Sequence, residues 1–222
     1  WESGCDDSPR WDDTVPDGHS PGRWFEWKGE LVGRVERSAG GAPLRNPSFP
    51  VGSVGFSALV AWNALELAGV SGDETLRGEA EVLVQAVDDR WDDERATWID
   101  DGPTAAGSGR ARTLDALLPL LVVDRPAAFA SLVDPAAHGA PFGPRGVHVA
   151  EPAYDPGTYW RGSAWPQLTY LLWLAATRSG DASAAALSRS MVRGATTSGF
   201  AEHWDPESGA PLGAVPQSWT AL

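Results

Sequence analysis

The chain of 222 residues contains one cysteine, Cys5, and one lysine, Lys28, against sixteen arginines. A lone thiol forms no internal disulfide and offers no metal-binding pair, which excludes a disulfide-stapled extracellular scaffold. No stretch is read as reaching the ~20 apolar residues of a membrane span, no secretory leader is visible, and a cytoplasmic location is expected. Val/Ile/Thr alternation with tight Asn-Gly turns does not recur, which argues against a β-sandwich. Positive charge is also in short supply. The net charge of -13 repels nucleic-acid phosphates and anionic lipid, so the reading is no nucleic acid, no membrane, and a small neutral or cationic ligand.

Tryptophan is abundant, with twelve residues. Trp1, Trp11, Trp160, Trp165, Trp204 and Trp219 lie in Gly/Pro/Asp-rich segments rather than in periodic apolar runs. Flat aromatic faces beside carboxylates suit sugar rings, whose C–H faces stack while their hydroxyls take hydrogen bonds. The 42% hydrophobic content is ample for a core.

Periodicity predicts helices. Residues 54–69 are apolar nearly all round, as for a helix packed on both sides. Ser71 with Glu74 reads as a capping box opening an amphipathic helix to about Val87. Another helix is expected over 111–122, ended or kinked by Pro119. A further pair is expected over 166–176 and 181–196, with Pro166 as a first-turn proline. Short extended pieces are expected over 96–100 and 146–149. DDRWDDERATW at 88–98 and AEHWDPESGAP at 201–211 echo each other after successive helical pairs. Helical hairpins with a recurring aromatic-acidic loop suggest an α/α toroid around a cavity.

Three segments concentrate the chemistry: WESGCDDSPRWD at 1–12, YDPGTYWRGSAWPQLTYLL at 154–172 and GFAEHWDPESGAPLGAVPQSWTAL at 199–222. Hydrolysis of a glycosidic bond needs one carboxylic acid to protonate the leaving oxygen and one carboxylate to activate water or attack carbon. Asp6 or Asp7 is a candidate for the first, and Glu202 for the second.

Glu2-Ser3-Gly4-Cys5-Asp6-Asp7-Ser8-Pro9-Arg10-Trp11 resembles the ESG-x-D-x-S-x-RW signature shared by trehalases and glycoside hydrolase family 63. YWRGSAWPQLTYLL resembles the YWRGP-x-W-P run of family 63 enzymes, and FAEHWDPESGAPLGAVPQSWTAL is similar to their closing motif. The resemblance is closest to mannosylglycerate and glucosylglycerate hydrolase-like domains. It implies an all-α (α/α)6 barrel, of which residues 1–222 look like the C-terminal portion, roughly the second half of one catalytic domain. Such a piece is expected to be inactive alone and to expose apolar faces. Cys5 stands where the family usually has Trp, and Ser163-Ala164 replaces the usual Pro-Val.

What the resemblance further implies is an inverting α-glycosidase acting on a small α-glucoside or α-mannoside such as glucosylglycerate or mannosylglycerate. Asp6 matches the family's general acid and Glu202 its general base. Gly4, Arg10, Trp11, Tyr159, Trp160, Arg161, Gly162, Gln217 and Trp219 match substrate-binding positions, and no cofactor or metal is implied. Trp165 and His203 are read as packing residues. A trehalase or oligosaccharide α-glucosidase is the runner-up, because no Lys or Arg in the three motifs is spare to receive a glycerate carboxylate. A non-catalytic carbohydrate-binding module would be expected to have lost Asp6 or Glu202, and both are present. An epimerase would call for histidine pairs, which His19, His138, His148 and His203 do not form in sequence.

Overall fold

In the computed structural model, which describes residues 5–220, Ser8 opens the first helical turn. Its hydroxyl accepts the Arg10 backbone N–H, and Pro9 fills the first position of a 3-10 helix, η1 (Pro9–Thr14). The same device starts α1 (Pro21–Gly33), where Ser20 caps the Arg23 N–H. The sequence reading did not include α1, which buries only Trp24 and Leu31 and so has almost no apolar period.

A small hairpin of β1 (Glu36–Arg37) and β2 (Pro43–Arg45) leads to α2 (Val54–Ser71). Gly72 ends α2 in the left-handed region at φ 71°. The cap of α3 (Glu74–Asp88) is Asp73, not Ser71 as the spacing suggested. Ser71 is instead the last residue of α2, donating its hydroxyl to the Leu67 carbonyl and accepting the Asp73 N–H.

Both echoed loops fold as two-stranded antiparallel hairpins. The first joins β3 (Trp91–Asp92) to β4 (Thr97–Trp98), and the second joins β5 (His203–Trp204) to β6 (Pro211–Leu212). Between them lie η2 (Ser108–Arg110), η3 (Asp115–Leu121), α4 (Pro126–Val133), the single turn α5 (Tyr159–Gly162), α6 (Pro166–Ser179) and α7 (Ser183–Thr197); η4 (Ser218–Thr220) follows β6. The helix expected over 111–122 is thus shorter and of 3-10 type. Pro119 lacks the N–H that an α-helix needs there, and Thr113 is bridged to Val147 in extended form.

Successive helices pair: α2 with α3, η3 with α4, and α6 with α7. η3 packs on both α2 and α6, and α4 touches α7, so the three pairs form a double layer. Leu114, Leu117, Phe129, Leu132, Leu172 and Leu187 fill the space between the layers, with Trp98 and Trp165 at its margin. One face of α2 is not covered: Phe56, Val60, Leu67 and Val70 are exposed along one stripe. The expectation of packing on both sides fails there, while the expectation of open apolar surface holds. At 18 residues α2 is also long and apolar enough, by length and composition, to cross a bilayer, contrary to the sequence reading. Its other face is taken up by α3 and η3, and its Glu66 pairs with Arg178 of α6 at 2.6 Å.

Candidate active site

The loop carrying the first carboxyls rests on a buried ion pair. Arg10 is fully buried, its Nε 2.7 Å from Asp100 Oδ2 and its Nη1 3.3 Å from Thr113 Oγ1. Asp100 also accepts the Val54 N–H at 3.0 Å, capping α2. Asp115 lies beside this pair; burial pushes its carboxyl up and Arg10 pulls it down. Cys5 packs into the core with its thiol pushed up, chiefly by burial and next by Asp115. Trp11 is buried between Trp24, at 6.2 Å in a stacked arrangement, and the edge of Phe49 at 5.9 Å.

The two neighbouring aspartates have different partners. Asp7 is buried, 2.8 Å from His19 Nε2 and 3.2 Å from Arg161 Nη2. Asp6 is half-buried and accepts from Lys28 Nζ of α1 at 3.3 Å. Among the described residues, Asp6 is the more exposed of the two candidates for the acid and has the single partner Lys28, whereas Asp7 is shared by His19 and Arg161.

The Tyr-Trp-Arg-Gly turn stands beside this loop. Trp160 stacks on Trp165 at 4.0 Å and Trp165 on His203 at 4.4 Å, with interplanar angles of 5° and 15°. Tyr159 meets all three rings edge-on and keeps 37% of its surface exposed. Backbone bonds between Ala164 and Trp204, N···O 2.8 and 3.2 Å, fasten this turn to the segment holding Glu202.

Glu202 immediately precedes β5. Its N–H donates to the Ala214 carbonyl at 2.8 Å, and its Oε2 accepts the Ala214 N–H at 3.2 Å. Gly213, at φ +69°, lies so close that a Cβ there would stand 2.5 Å from Oε2 and 2.9 Å from the Glu202 Cβ. Burial pulls the His203 imidazole below its ordinary value, with Glu202 opposing, so a neutral ring backs the carboxylate. The Trp219 indole N–H reaches the Glu202 carbonyl at 3.4 Å.

Tyr159 joins the two carboxyl-bearing ends. Burial pushes its phenol up, and the charges of Glu202 and then Asp6 push it the same way. A single hydroxyl thus lies within electrostatic reach of both carboxylates.

Several residues expected to contact sugar are engaged within the fold. Arg10 spends its donors on Asp100 and Thr113, and Trp11 belongs to the core. Trp160 is buried in the ring stack, and Arg161 is bound to Asp7 and Asp12. A Cβ on Gly162 would meet the Asp155 carbonyl oxygen at 2.6 Å, so its missing side chain admits the chain's own backbone. Gln217 lies in the loop beyond Glu202, its N–H donating to the Phe200 carbonyl at 2.8 Å and its Oε1 accepting the Ser218 N–H at 2.9 Å. Trp219, 44% exposed, lines an apolar cleft of about 640 Å³ with Tyr170, Val192 and Phe200. Gly4 lies outside the described residues.

Sequence reasoning missed Lys28, His19 and Asp100, which carry no motif signal because their partners lie far along the chain. Two histidines do meet: His138 and His148 pack at 5.6 Å, held by the Arg145 carbonyl and by Arg112. Neither contacts the rings around Tyr159 among the described residues. Among those residues no group of three or more His, Cys, Asp or Glu side chains is placed to hold a metal ion.

Comparison with known proteins was made for both sequence and structure. Residues 1–220 match the model of the mannosylglycerate hydrolase MGH1-like glycoside hydrolase domain. A glucosylglycerate hydrolase from Mycolicibacterium hassiacum is 44% identical over 69 residues, 31% of this chain and 16% of that protein. A family 63 mannosylglycerate hydrolase from Thermus thermophilus, in complex with glucose, superposes with TM-score 0.76 at 22% identity, covering 98% of this chain and 58% of that one. The same enzyme with Tris and D-glycerate gives TM-score 0.73 at 21% identity, covering 98% and 61%. The all-α (α/α)6 class is shared with these structures, and the chain spans about three-fifths of their length.

Proposed function

The chain belongs to the mannosylglycerate hydrolase MGH1-like glycoside hydrolase family, and on that footing we propose that it hydrolyses the α-glycosidic bond of a small glucosyl- or mannosylglycerate with inversion at the anomeric carbon. Asp6 protonates the glycosidic oxygen as its bond to the anomeric carbon breaks. Glu202 takes a proton from the water whose oxygen attacks that carbon from the opposite face. An inverting pair of this kind stands about 6.5–9.5 Å apart to leave room for the water. Each of the two proton transfers contributes roughly 10²–10⁴-fold to the rate.

The observation that carries the reading is that the Tyr-Trp-Arg-Gly turn ties both ends together: Arg161 binds Asp7 beside Asp6, Ala164 is bridged to Trp204 beside Glu202, and Tyr159 is within electrostatic reach of both carboxylates. The Gly213–Ala214 turn holds Glu202 through the Ala214 N–H, and the Arg10–Asp100 pair fixes the loop bearing Asp6. Positions behind the carboxyls are thus held by packing and ion pairs, which is what precise placement of reacting groups demands.

The test is an activity screen of the full-length protein over glucosylglycerate, mannosylglycerate, trehalose and short α-gluco-oligosaccharides, following the newly formed anomer by NMR. Turnover of a glycosylglycerate with the β-anomer appearing first is expected. Initial release of the α-anomer overturns the mechanism, and turnover of trehalose alone overturns the substrate assignment.

A further inference from the structure

Lys28 is the only lysine of the chain and lies outside all three motifs. It projects from α1 with Nζ 3.3 Å from Asp6 Oδ2, its side chain 16% exposed beside the 26% exposed side chain of Asp6. The contact sets two roles in competition. A general acid must carry a proton, whereas a carboxylate beside an ammonium serves as its ion-pair partner, and one carboxyl does not do both at once.

Among the described residues, the charged groups nearest Asp6 other than Lys28 have partners of their own. Asp7 is bound to His19 and Arg161, and Arg10 to Asp100. Cys5 is buried, and Tyr159 is within electrostatic reach of Asp6 and Glu202, with its phenol pushed up chiefly by burial. Lys28 is the cation whose exchange of partner would change the state of Asp6.

Substrate chemistry supplies the exchange. The general acid faces the glycosidic oxygen, and in a glycoside of an α-hydroxy acid the carboxylate is attached to the very carbon that bears this oxygen. A cation touching the acid is therefore within reach of that carboxylate. Resting on the glycosidase reading of Asp6 and Glu202, we propose that Lys28 is a specificity-determining residue on the leaving-group side: the aglycone carboxylate takes over its ammonium and releases Asp6 to act as proton donor. The charge near Nζ is conserved, because the substrate's negative charge replaces that of Asp6 as Asp6 takes up one proton from water. An anionic aglycone is thereby favoured in kcat as well as in KM.

The test compares, in the full-length protein, the glycerate glycoside with the neutral glycerol glycoside of the same sugar, for wild type, Lys28→Gln and Lys28→Arg. Wild type is expected to prefer the acid, and the ratio of the two kcat/KM values should fall about tenfold or more in Lys28→Gln, corresponding to about 1.4 kcal/mol or more. Lys28→Arg should restore most of it. An unchanged ratio in Lys28→Gln, or equal slowing of both substrates, overturns the proposal by reducing Lys28 to structural support. Inhibition gives a readout on wild type itself: D-glycerate should compete more strongly than glycerol, and equal competition also overturns the proposal. Failure of the underlying reading looks different, since wild type would then cleave neither glycoside.

Discussion

Arg161 grips Asp12 with two nitrogens, Nη1 at 3.0 Å and Nη2 at 2.5 Å, although the residues are 149 positions apart. Nη2 also reaches Asp7 at 3.2 Å. Burial works against the guanidinium charge, but Asp12 and Asp7 outweigh it and raise its affinity for the proton. Replacing Arg161 by Ala leaves two aspartates facing each other without their cation. The expected loss is about 2–3 kcal/mol, below the range for a fully buried pair because Asp12 is partly solvated. Urea denaturation checks it, and Lys, which lacks the two-pronged geometry, should recover only part.

The two adjacent aspartates should separate cleanly. Asp6→Asn and Glu202→Gln should each lower kcat by about 10²–10⁴-fold with little change in melting temperature. Asp7→Asn should retain far more activity and lose stability instead, since Asp7 serves His19 and Arg161. Steady-state kinetics beside thermal melts distinguishes the two, and the reverse pattern would reassign the acid to Asp7.

Asp100 is expected to be among the costliest side chains to remove. Asp100→Ala strands the Arg10 charge in a site with no exposure and uncaps Val54 at the start of α2. A loss of about 3–5 kcal/mol is expected from the buried pair, read as a lowered urea midpoint.

Gly213→Ala should act on Glu202 rather than on the fold. A left-handed backbone costs a non-glycine residue about 1–2 kcal/mol. The added Cβ would also press on Glu202 Cβ and Oε2. Displacing a reacting carboxylate by a fraction of an ångström is expected to lower kcat by about tenfold or more, with KM less affected.

Acid should weaken the protein partly through His138. Burial pulls this imidazole from 6.5 to about 3, against the opposing hydrogen bond to the Arg145 carbonyl. Because the folded value lies below the unfolded one, unfolding takes up a proton. The stabilising contribution is intact above pH 6.5 and is lost as pH falls toward 3. At about 1.4 kcal/mol per unit, wild type should lose about 1–2 kcal/mol more than His138→Gln between pH 7 and pH 5. Parallel urea titrations of the two proteins check this.

The four longest helices, α2, α3, α6 and α7, were legible in sequence because their signals are local. The α2–α3 and α6–α7 hairpins follow from apolar period, caps and Pro166, and the two Trp-Asp-x-Glu loops from their likeness to each other. The capping residue of α3 was misassigned because Ser71 and Asp73 are both competent caps two positions apart, and only the backbone decides which one ends outside the helix. η3 lost its expected first turn because Thr113 is held extended by its bridge to Val147, a partner far along the chain, while Pro119 inside it lacks the N–H of an α-helix.

Sequence alone singled out the three motif segments and the two carboxyls, Asp6 and Glu202, on which the proposed chemistry rests, because motif order and residue type are properties of the chain itself. It did not determine which motif residues are engaged by partners within the fold. Arg10, Trp11, Trp160 and Arg161 turn inward because their partners, Asp100, Trp24, Trp165 and Asp12, arrive by folding, and a charge or ring is consumed by whichever partner packing brings nearest. The same non-local logic brings Lys28, which belongs to no motif, to the carboxyl of Asp6.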